Sequence, residues 1–191
     1  MVKRYTLNIV AILIFMMLSG CVAAFFAGAS AGGIIISDRR DWKTRQEDSY
    51  INHRLDINIV QDPQFKGSHI DPISFSRVVL LVGETPIASL KVTAEKIAKS
   101  TPNVTKVYNE IAIQEPVSFS QKSEDTWITS EVKSVLLVKS GLRSGSIKVI
   151  TENNVVYLMG VLTREQAEMA VESTRRIDGV KQVVKVFEYV Q

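Results

Sequence analysis

The second half of the chain repeats the first half at a distance of 77 residues, and this repeat constrains the possible fold more than any other feature. Asp48 is matched by Asp125, and Gly83 is matched by Gly160. Apolar positions match in the same order at this distance: Ile51 and Ile128, Leu55 and Val132, Ile59 and Leu136, Ile70 and Ile147, Ile73 and Ile150. After one deletion the distance becomes 76, and Val104 matches Val180 and Val107 matches Val183. Two copies of one supersecondary unit explain this series, because self-similarity at a fixed period reflects a repeated structural element.

The second copy, 125–191, carries the clearer secondary-structure signals. Asp125 or Thr126 can cap a helix whose apolar residues recur at helical spacing. The elements expected after this helix are strands at 147–150 and 155–160 around a turn at 152–154, a helix at 163–176 and a strand at 180–190. The expected order is therefore αββαβ.

The first copy, 44–114, has the same order with weaker signals. Its elements are a helix at 45–60, strands around Ile73 and at 78–82, a helix at 87–99 and a strand at 104–113. Pro72 in the first strand suits an edge position, since proline cannot donate a ladder hydrogen bond. Residues 115–124 are expected to link the two domains.

The N-terminus is typical of an export signal. Lys3 and Arg4 precede an apolar run at 9–18 that is too short for a membrane-spanning helix. The sequence Leu18-Ser19-Gly20-Cys21 resembles the lipobox of bacterial lipoproteins. The resemblance implies removal of 1–20 and a covalent N-acyl diacylglycerol on Cys21, such as one carrying palmitate, with no other cofactor.

Two alternatives to lipidation are an ordinary signal peptide and a short membrane anchor with an incidental cysteine. Cys21 is the only cysteine, so lipidation gives an otherwise unpaired thiol a use. Bacterial lipoproteins are commonly retained in the inner membrane by Asp after the cysteine. Val22 at that position favours the inner leaflet of the outer membrane, facing the periplasm.

A tether is expected between the lipid and the first domain, which makes 21–43 the anchoring region. Residues 22–37 are small or apolar, with a short buried helix as the alternative, and the charged stretch 38–41 is expected to begin the water-facing region. Loss of Lys3 and Arg4 with the signal lowers the formal net charge of +3 by two. Such a chain has no general attraction for nucleic acid.

Both copies carry a V-x-L-x-G-like strand, then a helix and a G-V-x-x-V turn and strand. The second copy has Val156-Tyr157-Leu158-Met159-Gly160 and Gly179-Val180-Lys181-Gln182-Val183, and the first has Val79-Leu80-Leu81-Val82-Gly83 and Asn103-Val104-Thr105-Lys106-Val107. Asn103 replaces the turn glycine and can adopt the same left-handed conformation. The pattern resembles the BON-domain family, and two units behind a lipobox resemble its dual-BON outer-membrane lipoproteins.

The resemblance implies an α+β fold with two tandem αββαβ domains, each a small mixed three-stranded sheet packed on two helices. It also implies binding of anionic phospholipid such as phosphatidylglycerol, and a role in envelope integrity. A place at the cell division site and beside the β-barrel assembly machinery are further implications. A monomer is expected.

The sequence offers no catalytic constellation. His53 and His69 are the only histidines, and neither has a cysteine or carboxylate at metal-ligand spacing. There is no G-x-S-x-G motif and no phosphate-binding glycine loop. Gly83 and Gly160 are interpreted as positions of close packing. The chain is therefore not expected to be an enzyme or to hold a metal.

The first helix of the second copy has apolar residues outside its core-facing stripe, which is centred on Ile128 and Val132. The lipid-binding residues expected on or just after this helix are Trp127, Lys133, Leu137, Val138, Lys139 and Arg143. An aromatic residue, aliphatic residues and cations on one surface are typical of membrane-surface binding.

Two alternatives to lipid binding remain open. Trp127 can instead pack against the linker or the first domain. The protein can instead be an interaction module that binds a partner by strand addition at a sheet edge.

Overall fold

Two αββαβ units succeed each other along the chain in the computed structural model, which describes residues 38–191. The first unit contains α1 (Trp42–Leu55), β1 (His69–Phe75), β2 (Val78–Thr85), α2 (Ala88–Ser100), β3 (Lys106–Asn109) and β4 (Ala112–Ile113). The second contains α3 (Phe119–Val138), β5 (Ile147–Glu152), β6 (Val155–Leu162), α4 (Arg164–Arg175) and β7 (Gln182–Tyr189). The order expected from the repeat is confirmed, and the fold is α+β.

Each unit contains one small mixed sheet. β1 pairs antiparallel with β2, and β3 and β4 both pair parallel with β2. In the second unit β5 pairs antiparallel with β6, and β6 pairs parallel with β7. Because β1 pairs only with β2 within the described residues, Pro72 does lie on an edge strand.

The last strand of the first unit is divided, whereas a continuous strand at 104–113 was expected. The break lies between Asn109 and Ala112, where the Glu110 backbone N–H donates to the Leu81 carbonyl at 2.9 Å. The Ile111 side chain is buried in the core of the unit. The regular strand pairing is therefore interrupted at Glu110 and Ile111, where the Ile111 side chain enters the core.

Each sheet packs its helices on one face and the other sheet on the opposite face. Val79 and Leu81 belong to the core with α1 and α2, and Val156 and Leu158 belong to the core with α3 and α4. The intervening residues form a third core between the sheets, which contains Ile73, Phe75, Leu80, Val82, Tyr157, Met159 and Val186. The molecule therefore has four layers: two helices, a sheet, a second sheet and two more helices.

α3 begins earlier than the expected start at Asp125 or Thr126. Ser118 is its N-cap, and the Ser118 Oγ accepts a hydrogen bond from the Gln121 N–H at 3.3 Å. Part of the segment expected as a linker is thus helical. Asp125 is buried inside the helix, so its expected role as a cap is wrong.

Residues 38–41 bridge both domains, although they were expected to begin a water-facing region. The Arg39 N–H donates to Ser146 Oγ at 3.1 Å and the Arg39 guanidinium donates to Gln166 Oε1 at 3.2 Å, both in the second domain. Arg40 donates to Asp48 at 2.8 Å and lies 3.7 Å from the centre of the Phe75 ring, both in the first domain. Ion pairing and stacking thus hold this segment at the domain junction.

None of the helices between residues 38 and 191 is long and apolar enough to cross a membrane. The expected signal at 1–20, Cys21 and the expected tether at 22–37 lie outside the described residues.

Candidate functional site

One exposed face of α3 and its C-cap contain three of the six residues expected to bind lipid. Trp127 is 54% exposed and Val138 is 71% exposed. Together with Lys139, which caps the helix, they line an open groove of about 1220 Å³. The groove lies between α3 and α4 and is lined entirely by the second domain, so Trp127 is exposed rather than packed on the first domain.

The rim of this α3–α4 groove is more acidic than basic. Its carboxylates are Glu131, Glu168, Glu172 and Asp178, and its cations are Lys139 and Arg176. Glu172 is paired with Arg175 at 3.1 Å, which leaves three carboxylates opposite two cations. The groove itself is therefore poorly suited to an anionic headgroup, although its apolar wall can contact hydrocarbon.

Lys133 and Leu137 lie on the other side of α3. They line a cavity of about 290 Å³ with Ser144, Gly145, Ile147 and Val149. Leu137 is half-buried, whereas helical geometry placed it well away from the core. The reason is that the segment leading into β5 folds back beside the helix. Arg143 is half-buried just before this segment and lines neither cavity.

A second cavity, of about 490 Å³, continues from this one into the domain junction. The two cavities share Lys133, Gly145, Ile147 and Val149. The second cavity adds three cations that the sequence-based set did not include: Arg40, Arg45 and Lys148. We call Arg45, Lys133 and Lys148 the junction cations. In the sequence, the only local sign of this cationic cavity was Lys148, which stands alone between the apolar residues of β5.

The junction cations are weakly compensated. Burial lowers the pKa of the Lys148 ammonium, and Arg40 and Lys133 also lower it, whereas Asp71 and Asp48 act in the opposite direction. Within the described residues, none of the junction cations forms an ion pair. Lys148 is half-buried and the other two junction cations are exposed, so the junction holds excess positive charge around one partly desolvated lysine.

Asp48 is the one carboxylate on the lining of this junction cavity, and its oxygens are already occupied. It accepts hydrogen bonds from Arg40, from Ser74 Oγ and from the backbone N–H groups of Ser76 and Arg77, at distances of 2.7–2.8 Å. Both turn residues have positive φ. Asp48 is thus a buried clamp on the β1–β2 turn.

A pair of glutamates lies elsewhere on the junction. Burial, repulsion by Glu84 and a hydrogen bond that the protonated Glu152 donates to Glu84 together raise the pKa of Glu152 to about 8. Glu84 is buried at the end of β2, in the first domain. Burial and the nearby Glu110, Glu152 and Glu84 also raise the pKa of Tyr157 to about 12. This hydrogen bond between the Glu152 and Glu84 carboxyl groups joins the domains.

The two histidines line a third groove between the domains, of about 730 Å³. His53 and His69 lie there with Asp56, Asp71 and Lys148. Among residues 38–191 no three histidine, cysteine, aspartate or glutamate side chains are arranged to hold a metal ion.

Comparison with known proteins identifies both units. The BON domain family model matches residues 47–115 and 124–191. Outer membrane lipoprotein DolP of Haemophilus influenzae is 36% identical over 173 residues, covering 90% of each chain.

Two further relatives are similar over most of their length. The 21 kDa hemolysin of Actinobacillus pleuropneumoniae is 38% identical, covering 81% of this chain and 80% of the relative. Osmotically-inducible protein Y of Escherichia coli is 29% identical, covering 81% and 78%. Both units, their order and the extent of the similarity agree, and the chain belongs to the BON domain family as a tandem-BON lipoprotein of the DolP type.

Proposed function

We propose that this protein binds anionic phospholipid, such as phosphatidylglycerol, through the exposed apolar residues of α3 in its second BON domain, and that it thereby supports the integrity of the outer membrane. The observation that carries the proposal is the exposure of Trp127 and Val138 on a helix that already buries a separate core stripe. Lys139 follows Val138 on the same groove, and Lys133 lies on the other side of α3. Tryptophan, aliphatic side chains and lysine are the residues that favour the membrane interface.

In this proposal the lipid on Cys21 is the first membrane contact and α3 is the second. The lipid holds the protein on the inner leaflet of the outer membrane, facing the periplasm. Diacylglycerol with an additional acyl chain anchors a protein stably, whereas a single chain does not. The role of α3 is then to select the membrane composition at which the anchored protein resides. Membership of the BON family points to a non-catalytic envelope protein, and no reaction is proposed.

The test uses the chain 21–191 with Cys21→Ala, so that vesicle binding depends on the folded domains alone. Trp127→Glu should abolish co-sedimentation with phosphatidylglycerol vesicles, because a carboxylate at that position opposes both insertion and the anionic surface. Phe119→Glu is the matched control, since Phe119 is 86% exposed at the N-terminus of the same helix, eight residues before Trp127. Full vesicle binding by a folded Trp127→Glu protein would contradict the proposal.

A second candidate function is a protein-interaction module acting with the β-barrel assembly machinery. The observation that favours it is the edge of the second sheet: within residues 38–191, the eight-residue β7 pairs only with β6. An unpaired strand edge can accept an added strand from a partner. Photo-crosslinking from Lys185 in cell envelopes would support this function if one stoichiometric partner is captured. Loss of phosphatidylglycerol binding in Trp127→Glu without loss of that crosslink would separate the two roles.

A further inference from the structure

Three cations from three different elements face one cavity at the domain junction. Arg45 comes from α1, Lys133 from α3 and Lys148 from β5, and the cavity that they line measures about 490 Å³. Arg40 also lines this cavity and pairs with Asp38 and Asp48 at 2.7 and 2.8 Å, which leaves this triad with one net negative charge beside the three junction cations. The three junction cations have no such partners within the described residues.

The carboxylate on the cavity lining cancels only part of this charge. Asp48 is held by its four donors, and the hydroxyl of Ser74 is one of them. Asp71 attracts Lys148 but lies in the neighbouring histidine groove. Bringing like charges together costs free energy, and an anion bound between them would recover it.

The chemistry of these groups selects phosphate. Guanidinium and ammonium groups form charge-assisted hydrogen bonds with phosphate oxygens, and arginine can bind them in a bidentate manner. Lys148 is half-buried, so its interaction with an anion is screened less than that of a surface lysine. The exposed hydroxyl of Ser49 on the same lining can contribute a further donor.

An apolar cavity adjoins the cationic one. It is lined by Leu136, Leu137, Ile147 and Val149, and Lys133 stands at the boundary between the two. Leu136 and Val149 are buried, so Leu137 and Ile147 supply the accessible apolar surface, which free phosphate would leave uncovered and the first methylene groups of an acyl chain would cover. The cavity therefore suits a phosphate that carries hydrocarbon.

We propose that the junction cations bind the phosphate of a phospholipid headgroup, with the start of its hydrocarbon beside Leu136 and Leu137. This inference rests on the proposed function and adds a requirement to it: the headgroup site is completed by Arg45 of the first domain. The second domain by itself would contain only part of the site. The exposed Trp127 and Val138 of α3 contact the membrane, and the junction cations bind the phosphate.

The experiment measures affinity of the 21–191 Cys21→Ala chain for vesicles of phosphatidylglycerol in phosphatidylcholine. Arg45→Met, Lys133→Met and Lys148→Met should each weaken binding about fivefold, the effect of about 1 kcal/mol per cation near an anionic surface. Lys96→Met is the matched control, because Lys96 is exposed on α2 and removes the same charge away from the junction. Near-equal affinities for Arg45→Met and Lys96→Met would overturn the composite site.

A second measurement separates failure of this inference from failure of the proposed function. Amide chemical shifts of Gly145 and Ser49 are followed by NMR during titration with a short-chain phosphatidylglycerol, and separately with inorganic phosphate. Saturable shifts with the short-chain lipid in the Trp127→Glu protein, lost in Lys148→Met, would support the headgroup site even if vesicle binding through α3 proved wrong. If the titration shows that inorganic phosphate binds as tightly as the lipid or more tightly, the lipid is not the ligand. If neither ligand causes a shift, the proposed site is wrong.

Discussion

At the scale of single residues, one buried carboxylate per domain holds the hairpin turn against the first helix. The Asp125 oxygens accept hydrogen bonds from the Asn153 and Asn154 N–H groups at 2.9 and 2.8 Å. Asp48 holds Ser76 and Arg77 in the same way. All four turn residues have positive φ, a conformation in which consecutive N–H groups point to one acceptor. The repeat therefore preserves a clamp, not a helix cap.

Asp125→Asn tests the clamp. We expect the free energy of unfolding to fall by about 1–3 kcal/mol, since the amide replaces one acceptor by a donor that faces a buried N–H. Urea denaturation followed by circular dichroism measures the change. Asp41→Asn is the control: Asp41 caps α1, and asparagine caps a helix about equally well. Equal stability of Asp125→Asn and wild type would show that the clamp is unimportant.

At the scale of elements, the two strands of each hairpin approach each other so closely that only glycine fits at one position. Gly83 has a φ of +108°, and a Cβ there would collide with the carbonyl oxygen of His69. A Cβ at Gly160 would lie 2.7 Å from the Ser146 carbonyl oxygen. The interpretation of both glycines as close-packing positions is confirmed. Asn103 has a φ of +69°, so the left-handed turn expected there is also confirmed.

Gly83→Ala separates steric collision from conformational strain when it is compared with Gly67→Ala. Gly67 also has a positive φ, of +88°, but its Cβ would meet open space. We expect Gly67→Ala to cost about 1 kcal/mol through strain, and Gly83→Ala to cost more because backbone must move. Thermal unfolding of both variants gives the comparison. The same loss in both would mean that β1 yields without cost.

At the scale of the whole molecule, the core between the two sheets joins the domains. Leu80 and Met159 are fully buried in it, one from each domain. Ser76 Oγ adds a hydrogen bond to Glu188 at 2.8 Å across the junction. We therefore expect the domains to unfold together, although each contains a core of its own.

Met159→Ala should destabilise both domains by about 2–5 kcal/mol, the usual cost of such a truncation in a core. Calorimetry of the wild type should show a single transition that moves to lower temperature in the variant. Leu137→Ala, which truncates a half-buried side chain away from this core, should shift the transition less. Separate transitions for the two domains in the wild type would contradict this coupling.

The hydrogen bond between the Glu152 and Glu84 carboxyl groups predicts a pH dependence of stability. Because the pKa of Glu152 is raised to about 8 in the folded protein from 4.5, the folded state retains a proton that the unfolded state has lost between these values. Stability should be highest below about pH 4.5, as far as this group is concerned, and should fall as pH rises towards 8. Glu152→Gln should flatten the profile of Tm against pH.

The control for this pH profile is Glu115→Gln, because Glu115 is an exposed glutamate close to the junction. Its profile should follow that of the wild type. A Glu152→Gln protein that retains the wild-type slope between pH 5 and 8 would show that Glu152 does not hold this proton in the folded state.

Much of the fold was predictable because local patterns specify it. The repeat and its turn residues predicted the order of elements, and helical spacing predicted that Trp127 and Val138 would be exposed. The same spacing was wrong for Leu137, because the segment that covers it comes from beyond the helix. The start of α3 was also misplaced, since the acidic residue that resembled a cap binds a turn distant in sequence.

The sequence by itself determined two αββαβ units, their edge proline and their close-packed glycines, because each of these features depends on residues within one hairpin or one unit. Only the tertiary structure decided that the sheets pack face to face, which is why Val79 and Leu80 can both be buried on opposite faces of one strand. It also decided which cations meet. Arg45, Lys133 and Lys148 are distant along the chain, and packing between domains, which no local period encodes, places them around one cavity.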